Sequence, residues 1–239
     1  MKMSSVDSIG ADDISAFKFY DSISDKYDKY YGLDPGLLTF IKESLELLPP
    51  NASVLDIGSG TGIPTSLSVI QSGRKLHGID FSPKMIALSQ KNVPGATFEC
   101  ISMLDYEPKE KFDAAFVIFS MFHFQRGEME KVVGKWRGWV KEGGWIFVGT
   151  ILAEDAGMVE DSMFDEERLC AENVPGKFMG HVYGNLLYTR KGWERLLGDN
   201  GFEIVKTRKE AFQAQAEAEC DEEVHFWIMA RRVGEEKEG

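Results

Sequence analysis

Cysteine is scarce in this chain. Three occur among 239 residues, Cys100, Cys170 and Cys220, and no two are close enough to form a C-x-x-C pair. That excludes a disulfide framework and a thiolate zinc site and fits a reducing compartment. No His/Cys cluster at metal-ligand spacing occurs, so no metal is expected. No apolar run approaches the length of a membrane-spanning helix. Basic residues are outnumbered, 27 Lys and Arg against 39 Asp and Glu, for a formal net charge of −12. Such a surface repels phosphate backbones and anionic lipid, so nucleic acid is not an expected partner. The opening stretch MKMSSVDSIGADDISAF lacks the apolar centre of a secretory leader. The expectation is a soluble, cytoplasmic protein. The sequence is silent on its oligomeric state.

What is present is ordinary for a globular chain, 43% hydrophobic and 28% charged, enough for one sizeable domain. Residues 36–48 carry a helical apolar stripe, which PPN at 49–51 ends. Strands and helices then alternate. SVLDIG reads as a buried strand and 63–72 as a helix. KLHGID (75–80) is a second strand. SPKMIALSQ opens a second helix, with Ser82 as N-cap and Pro83 in its first turn. Strands follow at 96–101 and 112–120, then a helix over 126–141 and a strand WIFVGTI. This alternation predicts a mostly parallel sheet with helices on both faces. Residues 152–181 read as acidic and irregular, with eight acids against Arg168 across 153–172. A glycine-ended helix, TRKGWERLLGDNGF, precedes two late strands, EIVKTRKE and EVHFWIMARR.

Chemistry is expected at the carboxyl ends of the parallel strands. The first strand runs into VLDIGSGTGI, residues 54–63. The spacing is G-x-G-x-G, and Ile63 stands where a dinucleotide loop wants glycine. The G-K-[ST] of a phosphate loop is absent. Asp56 beside the glycines is a poor neighbour for pyrophosphate and a good one for an ammonium. Asp80 ends the second strand 22 residues after Gly58, about where an acid meets the ribose hydroxyls of a bound nucleoside. A nucleoside with a cationic, phosphate-free tail describes S-adenosyl-L-methionine (SAM).

The motifs VLDIGSGTGI, HGIDFSPKMI, FDAAFVIFSMFHF and WVKEGGWIFVGT, in this order, resemble those of class I SAM-dependent methyltransferases, in particular the small-molecule ubiquinone/menaquinone branch. The resemblance implies an α/β Rossmann-like fold, a mostly parallel seven-stranded sheet with a late antiparallel strand. It divides one domain into a tail (1–15), an N-terminal helical lid (16–48), a SAM-binding core (49–151), a substrate-side insertion (152–188) and a C-terminal helix with strands (189–232). Asp56, Gly58, Ser59, Gly60 and Gly62 would receive the methionine end. Asp80 would hold the ribose, with Phe81 and Met85 on the adenine. Ser102, Met103 and Leu104 would border the adenine, Ser102 standing where the family often has an Asp. Ile118 and Phe119 would border the sulfonium, and Tyr20 and Tyr27 would close over the cofactor.

The implied reaction is in-line methyl transfer from SAM to a small, apolar or aromatic acceptor, leaving S-adenosyl-L-homocysteine. Positioning supplies much of such a reaction, and a base matters only when the acceptor must lose a proton. The candidates for base or acceptor contact are His123, His181 and Tyr183; His77 and His225 read as structural. The absence of [DN]-P-P-[YFW] and of a P-C dipeptide disfavours nucleic-acid and glutamine methylation. The alternative is a SAM-binding protein of the same fold with a regulatory or non-methylating activity.

Overall fold

The computed structural model describes residues 21, 23, 28–32 and 34–234. Its central strand, β1 (Ser53–Ile57), has Val54, Leu55 and Ile57 fully buried. That is the mark of a strand covered on both faces. Around it, β2 (Lys75–Asp80), β3 (Thr97–Cys100), β4 (Phe112–Ile118), β5 (Val140–Ile151), β8 (Phe202–Phe212) and β9 (Glu223–Arg232) complete a seven-stranded sheet in the order β3-β2-β1-β4-β5-β9-β8. β1 to β5 run parallel, and β9 lies antiparallel between β5 and β8. The expected fold is the observed one.

Successive residues of the strands serve opposite layers, as the strand period of two requires. Val54, Phe116, Phe147 and Trp227 pack with Phe40 and Ile41 of α1 (Pro35–Glu46) and Val69 of α2 (Thr65–Gln71). Leu55, Ile57, Ile146 and Ile228 face the other way. They meet Trp136 and Trp139 of α4 (Arg126–Trp139) and Trp193 and Leu197 of α5 (Arg190–Asp199). Between α2 and α4 in sequence lies α3 (Pro83–Asn92), where Ser82 accepts from Met85 N–H as expected of an N-cap.

Two expectations need correction. KEGG does not separate α4 from a later strand. β5 begins at Val140, and a register shift between Phe112 and Ala114 absorbs the extra residues. Residues 170–188, read partly as irregular, form a two-stranded hairpin, β6 (Cys170–Phe178) and β7 (His181–Tyr188). Its turn is Met179-Gly180, both with positive φ, 48° and 82°, between the paired Phe178 and His181. Two positive φ values suit a two-residue hairpin turn, but Met-Gly is a weak signal for one. A register shift between Ala171 and Val174, with Asn173 at φ 56°, also breaks the alternation that would have revealed β6.

Phe40 is 1% exposed and stacks on Trp227 at 4.9 Å. Phe40→Ala is expected to cost about 3–5 kcal/mol, measured by urea denaturation.

Candidate functional site

The glycine loop leaves β1 at the carboxyl edge of the sheet and is hung from β2. Gly58 and Ser59 N–H both donate to Ile79 O, at 2.8 and 2.9 Å. Gly58, Gly60 and Gly62 have φ of 71°, 53° and 82°, a backbone that side chains rarely adopt. A Cβ at Gly58 would collide with the side chain of Ser120, which follows β4. A Cβ at Gly60 would meet nothing within 4 Å. The loop is therefore packed on one side and open at Gly60.

Two buried carboxylates flank it. Asp80 Oδ2 accepts from Gly60 N–H and Oδ1 from Ser82 N–H, each at 2.9 Å. Asp56 Oδ2 accepts from the Ser66 hydroxyl of α2 at 2.6 Å. Burial outweighs these hydrogen bonds and pushes both acids up, Asp56 to about 7 and Asp80 to about 6. The Ser59 hydroxyl is buried without a hydrogen-bond partner among the described residues. Open space at Gly60, the buried acids and this orphaned hydroxyl fit a ligand rich in hydroxyls and amines.

Asp21 and Asp28, from before α1, bond to this edge. Thr61 donates to Asp28 and Ser82 to Asp21, and Lys84 Nζ donates to Asp21 O at 2.8 Å. Tyr20 and Tyr27 lie outside the described residues. Phe81 is half-buried and Met85 is 2% exposed. The Ser102 hydroxyl accepts from Leu104 N–H at 3.2 Å, so it shapes its own turn. Met103 is buried in the core, Leu104 packs against it, and the Leu104 carbonyl accepts from Lys135.

Beyond β4 a cleft opens under the hairpin, with about 900 Å³ of empty space that includes open solvent. Phe119, Phe122, His123 and Tyr183 line it. Phe119 has φ 50°, a strained value that turns the chain into the cleft. Ile118 packs against the core beside it. His123 and Tyr183 are brought together, ring centroids 5.2 Å apart. Burial lowers the His123 pKa and pushes Tyr183 up to about 12. At neutral pH His123 is thus unprotonated, the form a base needs. His181 is exposed on the hairpin and is not among the lining residues. Sequence reasoning missed Tyr31 and Glu223 of the lining.

Residues 54–144 match a methyltransferase domain family. Over 124 residues the chain is 29% identical to the phosphoethanolamine N-methyltransferase of Plasmodium falciparum, a match covering 50% of this chain and 45% of that protein. The chain thus spans about half the length of the curated relatives it matches, 45% and 59% for the first two. The fold is similar to that of 1,6-didemethyltoxoflavin-N1-methyltransferase from Burkholderia thailandensis, with TM-score 0.64, 14% identity and coverage of 98% of this chain and 93% of that one. It is equally similar to the cyclase SpnF, with TM-score 0.64, 16% identity and coverage of 92% and 96%. The fold is that of the class I methyltransferases. Among the described residues no helix is long and apolar enough to cross a membrane, and no group of His, Cys, Asp and Glu could hold a metal ion.

An acid with a raised folded-state pKa favours the folded state below its unfolded value, 3.8 for Asp56. That contribution is lost as pH rises through about 7. Relative to wild type, the melting temperature of ligand-free Asp56→Asn is expected to move in the variant's favour by at least about 2 °C between about pH 4 and pH 8. Differential scanning fluorimetry checks this; a difference independent of pH contradicts the burial argument.

Proposed function

We propose that this chain is a SAM-dependent methyltransferase acting on a small-molecule acceptor. One observation carries the reading. The glycine loop opens at Gly60 directly beside the buried carboxylate that clamps it, and it lacks the features of a phosphate-binding loop. SAM would supply an electrophilic methyl group. The chain's own residues would bind and orient. Asp80 would accept from the ribose hydroxyls, and Asp56 with the loop Gly58–Gly62 would receive the amino-acid tail. Phe81, Met85, Ser102, Met103 and Leu104 would surround the adenine, and Ile118 and Phe119 would close the side toward the acceptor. The acceptor would enter the cleft beneath the hairpin, where neutral His123 and Tyr183 could contact it. Anchoring of Asp21 and Asp28 supports a lid over residues 16–48, and the cleft under β6 and β7 supports a substrate-side role for 152–188.

The likeness to a cyclase favours one second reading, a protein of this fold that binds SAM without transferring its methyl group. Incubation of the protein with isotope-labelled SAM and metabolite extracts separates the two: labelled product and S-adenosylhomocysteine support methyl transfer, whereas tight binding without turnover supports the second reading.

Asp80→Asn is expected to weaken SAM binding by about 10–100-fold in calorimetry, the effect of removing charge from one or two hydrogen bonds to an ionised group. Near wild-type affinity would remove Asp80 from the ribose site.

A further inference from the structure

In the wall of the cleft sits a buried ionic triad that methyl-donor binding does not use. His225 of β9 is 1% exposed. Its Nδ1 lies 3.0 Å from Asp34 Oδ2 and its Nε2 lies 2.8 Å from Glu223 Oε2. With a carboxylate on each side, both ring nitrogens donate, which makes the ring an imidazolium. Burial opposes that charge, but the two carboxylates outweigh it and raise the His225 pKa. Phe119 and Phe212 pack on the ring at 4.4 and 4.8 Å. The triad carries two negative charges against one positive.

Its two acids have different outlooks. Asp34 Oδ1 accepts from Gly36 N–H at 2.8 Å, capping α1. Glu223 faces the cleft with Tyr31, whose hydroxyl donates to Glu223 Oε1 at a long 3.3 Å. The surplus negative charge is therefore presented at Glu223. Among the described lining residues, Asp155, Asp221, Glu222 and Glu223 stand against Lys177. Lys209 pairs with Asp155 at 2.6 Å, and Asp221 accepts from Lys177 N–H at 2.7 Å. The lining also holds the rings of Phe119, Phe122 and Tyr183, with Phe119 packed on His225. A carboxylate, phosphate or phenolate would meet like charge here. A cation on a flat apolar body would meet a carboxylate and ring faces, both attractive.

We propose that the acceptor of this cleft is an organic ammonium with an aromatic or apolar body, and that Glu223 is the group that reads its charge. This rests on the cleft being the acceptor site. It also separates the chain from the quinol-type acceptors of the branch its motifs resemble, because a phenol that ionises would be repelled.

Phenethylammonium and 3-phenylpropanoate are near-isosteric probes of opposite charge. Calorimetry on the full chain saturated with S-adenosylhomocysteine should show the ammonium bound at least about tenfold more tightly. Glu223→Gln should reduce that preference below about threefold while leaving S-adenosylhomocysteine affinity within about twofold. Equal binding of the probes, preference for the carboxylate, or a preference that survives Glu223→Gln would overturn the proposal. Should Glu223→Gln not fold, Glu223→Asp keeps the charge but withdraws it by one methylene. It should weaken the ammonium probe about three- to tenfold and leave the carboxylate probe unchanged; no change would overturn the assignment to Glu223. Ammonium preference in the ligand-free chain without affinity for S-adenosylhomocysteine would keep Glu223 as the charge-reading group but overturn the methyl-transfer reading and with it the assignment of the ammonium as acceptor, whereas the reverse pattern would overturn this proposal alone.

Discussion

The carboxylate of Asp80 holds the functional edge of the molecule together. It is 7% exposed, so its oxygens must find donors inside the protein. It finds them on two elements at once: Gly60 N–H in the loop after β1, and Ser82 N–H at the start of α3. One side chain at the end of β2 thereby fixes the loop and the helix start relative to each other. The loop's shape is set before any ligand arrives, which lowers the ordering cost of binding.

Contacts spread outward from this clamp. Ser82 caps α3 through Met85 N–H and holds Asp21, so Asp21 lies on the same edge. On the other flank Ser120 fits against bare Gly58 and donates to Ile57 O at 3.0 Å. Residues after β4 are drawn toward the loop. Phe119 pivots there at positive φ, facing the cleft and packing on His225 and Trp227. Phe119 is thus the physical link between the glycine loop and the triad.

The sheet and the loop were legible because their signals are local. Strands buried on both faces show as apolar runs, and the glycine motif declares its backbone within ten residues. The cleft was not legible in this way. His225 and Asp34 are separated by 191 residues and meet only because β9 inserts beside β5, with α1 packed over the sheet. One sign was available: a histidine inside the apolar strand EVHFWIMARR must find buried partners. Reading it as structural left open which acids those partners were. His181 and Tyr183 share a face of β7, but His181 stands at the tip of the hairpin beside the Met179-Gly180 turn, and only Tyr183 lines the cleft.

The triad also shows why a cleft wall would be built from three groups when one carboxylate could carry the same net charge. A lone buried acid is driven toward its neutral form, as the raised values of Asp56 and Asp80 show. Among the described residues those two acids are held by N–H and O–H donors and by no Lys, Arg or His. In the triad an imidazolium lies within 3.0 Å of both acids. Removing His225 would leave two like charges without the cation that lies between them. The structure therefore contains two kinds of buried negative site, one held by N–H and O–H donors and one that encloses a cation. The second kind suits a wall that must attract a cation while the first is occupied by another. Two unit charges 4 Å apart repel by about 4 kcal/mol at an effective dielectric constant of about 20, and a fixed anion beside them offsets that cost.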